Sequence, residues 1–456
     1  IWATPAPLVT TEEGVPPLAG ALAGTPDGRF YAFWSLPKQF TIYMAIWDGD
    51  RWSRPEAFFT THGEVDALAA TVVSGGVVAL AWHDRALNQI RYTWAKRNHA
   101  TLPDAWQPAQ TLPTPSADAI WGLQLVSTPE GRLLSAYAVA VNETRGIYLT
   151  ESEAPDAKWT PPVQVFNGAA AGWEAVGAPR LAVHASGALH LLWARLSLPP
   201  LAGSWPSAQA LMYAHSEDGG HSWSPPEMLV EAPVRSYTLA IGPDENLHIV
   251  WVEGEEPWWA VKDRISPDGG RHWSTPLSVT SGKRTPPIAA LLSSPDGHFY
   301  LLTTTDSDHL LQPWIWDGAQ WRSDGRPLAN LSDLSVLWAP SSPAQSAGRV
   351  AALFAGIMEA QGTPVPAVFM VARSLNPTSL QSPFHTFTPA PPTSTLAPPT
   401  GITSTPTPAP PLASAPPSVA SPSWLNKRWS GPLIGSGMAL LLLLITALTT
   451  HYRRRG

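Results

Sequence analysis

The chain has 456 residues, a formal net charge of −7 and no cysteine. Its sparse, slightly acidic charge gives no basic footprint for nucleic acid, and the missing cysteines exclude disulfides, thiolate metal sites and a cysteine nucleophile. The length suits one large repeat domain with accessory segments, and dense glycine and proline punctuation argues against helices before the C-terminal end.

In chain order, the first element is an orphan. Trp2-Ala-Thr-Pro5-Ala-Pro-Leu8 has the Trp-Pro-Leu pattern of an outer strand, with no strands ahead of it. One pattern then returns to about residue 375. Its first half is a turn feeding an apolar strand that ends in Trp, as in Pro26 to Trp34, Ser74 to Trp82, Ser186 to Trp193 and Pro243 to Trp251, with looser copies at Pro129, Pro295 and Ala347. Its second half is an Asp turn closed by Trp. The full form is Ser216-Glu-Asp218-Gly-Gly220-His-Ser-Trp223 and Ser266-Pro-Asp268-Gly-Gly270-Arg-His-Trp273. Shorter forms are Trp47-Asp48-Gly49-Asp-Arg-Trp52 and Trp316-Asp317-Gly318-Ala-Gln-Trp321, and Asp104-Ala-Trp106 and Asp156-Ala-Lys-Trp159 are reduced further. Short Asp/Gly turns between apolar-aromatic runs are hairpin signals. Units recurring roughly every fifty residues have the period of propeller blades. The expected fold is all-β: a seven-bladed β-propeller of four-stranded blades over residues 1–375, with six blades as the alternative. The last unit lacks a fourth strand, so the N-terminal segment is expected to supply it. Closing the ring leaves only short, protected edges.

The two full turns, built on Ser216, Asp218, Gly220 and Trp223 and on Ser266, Asp268, Gly270 and Trp273, resemble the Asp-box, or bacterial neuraminidase repeat, of the sialidase-like propellers. The resemblance extends over residues 1–375. It implies a structural role for the box: Asp caps the turn through backbone N–H groups, and Trp packs between sheets. It also implies that the Asp turns lie on one face of the ring. Loops joining blades, and loops joining second to third strands, then rim a funnel on the other face, where binding and catalysis are expected.

The chemistry this resemblance implies needs three arginines on a carboxylate, a Tyr nucleophile activated by Glu, and an Asp acid/base. Arginine suits the grip because its planar fork binds a carboxylate in bidentate fashion. The matching positions are Arg235, Arg284 and either Arg180 or Arg195 for the grip, Tyr237 with Glu174 for the nucleophile, and Asp66 or Asp118 for the acid/base. Arg235 and Tyr237, two apart on a strand, share a face. The chain departs from the family where its first arginine belongs, reading Val15-Pro16-Pro17-Leu18. A different glycosidase needs only two facing carboxylates, which the acid-rich rim leaves open. Binding without catalysis is supported by Glu253-Gly-Glu-Glu-Pro-Trp258-Trp259, where acids and aromatics suit stacking on a sugar ring, core packing of the Trp pair being the alternative. Trp205, in the longest rim loop, and Arg195 complete the candidate binding residues. His62, His83 and His309 lack metal-ligand spacing, and neither a metal nor a cofactor is expected.

Beyond the repeats, residues 376–429 are a Pro/Thr/Ser/Ala-rich tract expected to be a disordered, extended stalk. Residues 430–450 form an apolar run long enough to cross a hydrocarbon core as a helix, and 451–456 end in Arg453-Arg454-Arg455. Ala397-Pro-Pro-Thr400-Gly401 is a poor match to a cell-wall sorting signal, so a plain membrane anchor is preferred. The expected topology is single-pass in the cell membrane, with the propeller outside and the tail in the cytoplasm. The absence of an initiator Met fits a cleaved leader or a fragment. The expected function is recognition of glycans or glycoproteins at the cell surface. The alternatives are an exo-acting, sialidase-like glycoside hydrolase and a scaffold docking an exported protein.

Overall fold

The computed structural model describes Trp2 and residues 6–374, apart from 11–16, 49–50, 116–117, 199–205, 256, 284–288, 295–296, 305–310, 329–332, 339–348 and 361–362. Arg284, Trp205, the expected stalk, the apolar run and the basic tail lie outside the described residues. Among the described residues, no helix is long and apolar enough to cross a membrane.

Antiparallel sheets make up the described chain, apart from 3-10 turns at Arg97–His99 and Pro103–Ala105. Five sheets have four strands and one has eight. Ala19–Gly24, Phe30–Ser35, Thr41–Trp47 and Glu56–Thr60 show the pattern, each strand pairing with the next in the chain. In the eight-stranded sheet the long strand Glu227–Ile241 pairs through its first half with Ser207–Ser216 and through its second with Leu247–Glu253. The ring closes out of chain order: Ala6–Thr10 pairs with Thr363–Ser374, so the N-terminal segment supplies the outer strand of the last sheet, as expected. The innermost strands neighbour one another in chain order, and Asp333–Trp338, the last, lies beside Ala19–Gly24, the first. This cyclic succession of twisted four-stranded sheets is the construction of a β-propeller.

Tryptophan explains how successive sheets adhere. Those ending second strands, Trp34, Trp193 and Trp251, are fully buried. Those closing the Asp turns pack back on the preceding group of four strands: Trp106 lies edge-on to Phe33 at 6.0 Å, Trp159 to Tyr92 at 5.1 Å and Trp273 to Tyr213 at 5.0 Å. Trp321 donates its indole N–H to Asp263 of the sheet before it, at 2.8 Å. Trp2 repeats the arrangement at the closure. It lies edge-on to Tyr300 at 5.6 Å and donates to Asp324 at 2.6 Å, while Arg373 holds the same carboxylate at 2.8 Å.

The two full Asp turns are nearly superimposable in their bonding. Ser216 Oγ accepts from Gly220 N–H at 2.8 Å and donates to Asp218, which in turn accepts from Ser222 N–H at 2.9 Å. Ser266, Asp268, Gly270 and His272 repeat this set. Hydrogen bonds, first from Ser222 to Asp218 and from the His272 backbone to Asp268, hold both carboxyls well below the usual carboxylate range. Gly270, at φ +87°, allows close packing: a Cβ there would lie 1.8 Å from the Tyr213 hydroxyl. The shorter turns keep the essential bond, with Arg51 N–H donating to Asp48 and Gln320 N–H to Asp317.

Candidate functional site

The inner strands surround a cavity of about 740 Å³. Small side chains such as Ala19, Ala21, Ala67 and Ala69 line much of its wall, which keeps the centre open. The Asp turns and the turns between first and second strands share one end. At the other end the inner strands begin, and there Asp66, Trp121, Gln124, Arg180 and Tyr237 line the cavity.

Bulges at this mouth re-aim side chains. The pairing slips between Val65 and Ala67, between Trp121 and Leu123, and between Val234 and Ser236, so Asp66, Gly122 and Arg235 are the extra residues. An extra residue bends the strand and raises its twist, a device common beside functional sites. Gly122 is needed at its bulge: its φ is +66°, and a Cβ would lie 2.2 Å from Ala178 Cβ.

Asp66 has its partners on the neighbouring strand. One carboxylate oxygen lies 2.7 Å from His83 Nδ1, and the other 3.5 Å from Arg85 Nε. Arg85 also donates to Glu64 at 3.0 Å. The adjacent loop is fixed by buried Asp84, which accepts from the N–H groups of His62 and Leu87 at 3.0 and 3.3 Å. Across the mouth, Arg180 donates through Nε to the Tyr237 carbonyl at 3.3 Å, its guanidinium carbon 5.7 Å from the Tyr237 ring centroid. The Tyr237 hydroxyl donates to the Ala178 carbonyl at 2.5 Å. Burial pushes this phenol up to about 12, with Arg180 acting in the opposite direction, so it stays protonated near neutral pH.

The structure therefore brings Asp66, Arg180 and Tyr237 to one cavity and, of the candidates among the described residues, places the others outside its lining. Glu174 is not paired with Tyr237; it accepts from Ser197 Oγ at 3.1 Å and Leu198 N–H at 2.7 Å, fixing the start of a rim loop. Asp118 accepts from the Asn88 side chain. Arg195 is exposed beside a separate cleft of about 250 Å³ shared with Gln209 and Glu231. Arg235 is exposed on its bulge. Trp259 is buried and packs over Gly282, whereas Trp258 is 59% exposed. Among the described residues no cluster of His, Asp or Glu could hold a metal ion.

Trp121 was not singled out from sequence, and His83 was weighed there as a metal ligand and not as a partner of Asp66. His83 follows the strand-ending Trp82, and its approach to Asp66 depends on a one-residue bulge that no local pattern announces. Trp121 is 36% exposed, but among so many core tryptophans its spacing carried no distinguishing signal.

A propeller with a small-residue channel and a polar, partly aromatic mouth is a form suited to binding small or extended polar ligands. No family model and no curated protein matches the chain. Similar solved structures include an ulvan lyase of polysaccharide lyase family PL25 bound to GlcA(1-4)Rha3S, with 12% identity and a TM-score of 0.57, covering 81% of this chain and 97% of that one. A second PL25 ulvan lyase structure has 12% identity and a TM-score of 0.53, covering 82% and 97%. The Penicillium chrysogenum alpha-L-arabinanase complexed with arabinobiose has 14% identity and a TM-score of 0.44, covering 70% and 98%. The likeness is one of fold: the chain is all-β, and its propeller neighbours include enzymes that act on glycans.

Proposed function

We propose that the chain is a membrane-tethered, extracytoplasmic propeller of the Asp-box, sialidase-like type that recognises carbohydrate at the mouth of its central cavity. The observation that carries this reading is the convergence of Asp66, Trp121, Arg180 and Tyr237 at one end of the channel. Sugars combine hydroxyls, which need charged or polar partners, with an apolar ring face that stacks on aromatics. The five four-stranded sheets and the two halves of the eight-stranded one support a ring of seven blades over residues 1–375. The Pro/Thr/Ser tract, apolar run and terminal arginines support a stalk, a membrane span and a cytoplasmic tail.

Binding is favoured over hydrolysis. Among the described residues Asp66 is the sole acid lining the cavity, and hydrolysis by paired carboxylates requires a second one facing it. Glu174 and Asp118 accept from Leu198 and Asn88 and do not line the cavity, and the Tyr237 hydroxyl donates to a carbonyl. An exo-acting hydrolase is the second reading, kept because the Asp66 carboxylate and the His83 imidazole lie 2.7 Å apart at the mouth. The test is to apply the full chain to immobilised glycans and, in parallel, to fluorogenic glycosides including a sialoside. Retention without turnover is the expected outcome. Turnover lost on Asp66→Asn would replace it with the hydrolase, and neither retention nor turnover would sink both.

A further inference from the structure

Outside the cavity, on the same face, one aromatic ring is displayed in a way that core packing does not explain. Trp258 begins the strand Trp258–Ser266, and alternation along that strand turns Trp259 inward and Trp258 outward. Trp259 is buried over Gly282, where a Cβ would lie 2.3 Å from the indole, so the inward ring and its glycine fix the strand's height. Trp258 is 59% exposed, the largest exposure of any large apolar side chain in the described residues.

The ring is nevertheless held firmly. Its cross-strand partner is Lys283, whose Nζ lies 4.0 Å from the indole centroid. A cation placed so covers one face of the ring and fixes its plane. The turn beneath is tight: Gly254 has φ +130°, and a Cβ there would lie 2.4 Å from the Trp258 carbonyl oxygen. Trp258 N–H donates to the Glu255 carbonyl at 2.7 Å, and Gly254 N–H to the Pro233 carbonyl at 3.1 Å. The last bond ties the hairpin to the strand that runs into the cavity. On that strand Val234 pairs with Glu253, Arg235 follows as the exposed bulge residue, and Tyr237 lies at the mouth.

We propose that Trp258 is a second carbohydrate subsite, a preformed stacking platform for a sugar unit lying outside the cavity. The ligand is then a glycan chain of several units, running from the mouth past Arg235 to Trp258, and not a single terminal sugar. The proposal rests on the carbohydrate reading of the mouth. A rigid, part-covered indole costs little to order on binding, which is the advantage of a preorganised site. Its contribution is that of one aromatic stacking contact.

Affinity electrophoresis of the full chain in gels containing ulvan, polygalacturonate or linear arabinan tests this, with the matching disaccharides as competitors in solution. The native chain should bind at least one polymer more tightly than its disaccharide. Trp258→Ala should weaken the polymer affinity roughly three- to tenfold and narrow that gap. Trp258→Phe should restore most of the loss, and Lys283→Met, which frees the ring without removing it, should fall between. Equal polymer affinity in native and Trp258→Ala chains of unchanged melting temperature would overturn the platform and leave the mouth intact. No retardation of the native chain in any gel would remove the carbohydrate reading and the platform together.

Discussion

The two ends of the propeller solve the same problem, satisfying polar side chains, in opposite ways. On the turn face the partners are local: Asp218 takes N–H and hydroxyl donors from Ser222, four residues on, and Asp268 meets the backbone N–H and the ring Nδ1 of His272. On the mouth face the partners are distant: Asp66 meets His83 at a separation of 17 residues, and Arg180 meets Tyr237 at 57. Local closure makes a rigid, self-sufficient turn that has no need of a ligand. Distant closure gathers charge and aromatics from several sheets around an opening, which is the arrangement a binding site needs.

Variants should separate the two ends, beginning with the largest effect. Behind the turn face, Asp263 accepts from the Trp321 indole at 2.8 Å and lies 2.9 Å from His248 Nδ1, all within the interior. Asp263→Ala strands both partners and should cost about 3–5 kcal/mol in denaturant unfolding, and a loss below about 1 kcal/mol would contradict a tightly bonded interior there.

Legibility in the sequence follows the same division. The bonds of Ser216 and Asp218 lie within one short motif, and the resemblance of that motif to the Asp-box implied the structural role of Ser216, Asp218, Gly220 and Trp223. The N-terminal outer strand was legible too, because Trp2 and Leu8 carry the repeat's own signature. The mouth was legible only in part. Asp66 and Tyr237 were named from the chemistry that the resemblance implied, yet the partner assigned to Tyr237 was Glu174, whereas the Ala178 carbonyl accepts its hydrogen bond. That difference depends on bulge positions and on how neighbouring sheets abut, and hydrophobic alternation encodes neither.

Two adjacent glycines sharpen the contrast within the turn face. Gly270→Ala puts a methyl 1.8 Å from the Tyr213 hydroxyl at φ +87°, whereas Gly269→Ala, at φ +71°, meets nothing within 4 Å. The first should destabilise by about 3 kcal/mol and the second by about 1 kcal/mol, the difference reporting packing separated from backbone strain. Equal losses would mean that the turn does not press on the neighbouring sheet.

Acid should act on the turn face through its lowered carboxyls. The lowered carboxyls of Asp218 and Asp268 contribute stability that is complete above the unfolded carboxylate value of about 4 and is lost as pH falls through their lower folded values. A chain carrying Asp218→Asn and Asp268→Asn should therefore show a shallower loss of melting temperature between about pH 4 and pH 2 than the native chain. At the mouth, Arg180→Met should change stability by less than about 1 kcal/mol, because its hydrogen bond to the Tyr237 carbonyl and its approach to the Tyr237 ring are both partly exposed.

Binding of the full chain to an immobilised glycan panel, measured side by side for the native protein, Arg180→Met and Asp218→Ala, tests the division between the two ends most directly. Loss of retention in Arg180→Met with retention kept in Asp218→Ala is the predicted result. Undiminished binding by Arg180→Met, or loss confined to a folded Asp218→Ala chain, would place the ligand somewhere other than the mouth.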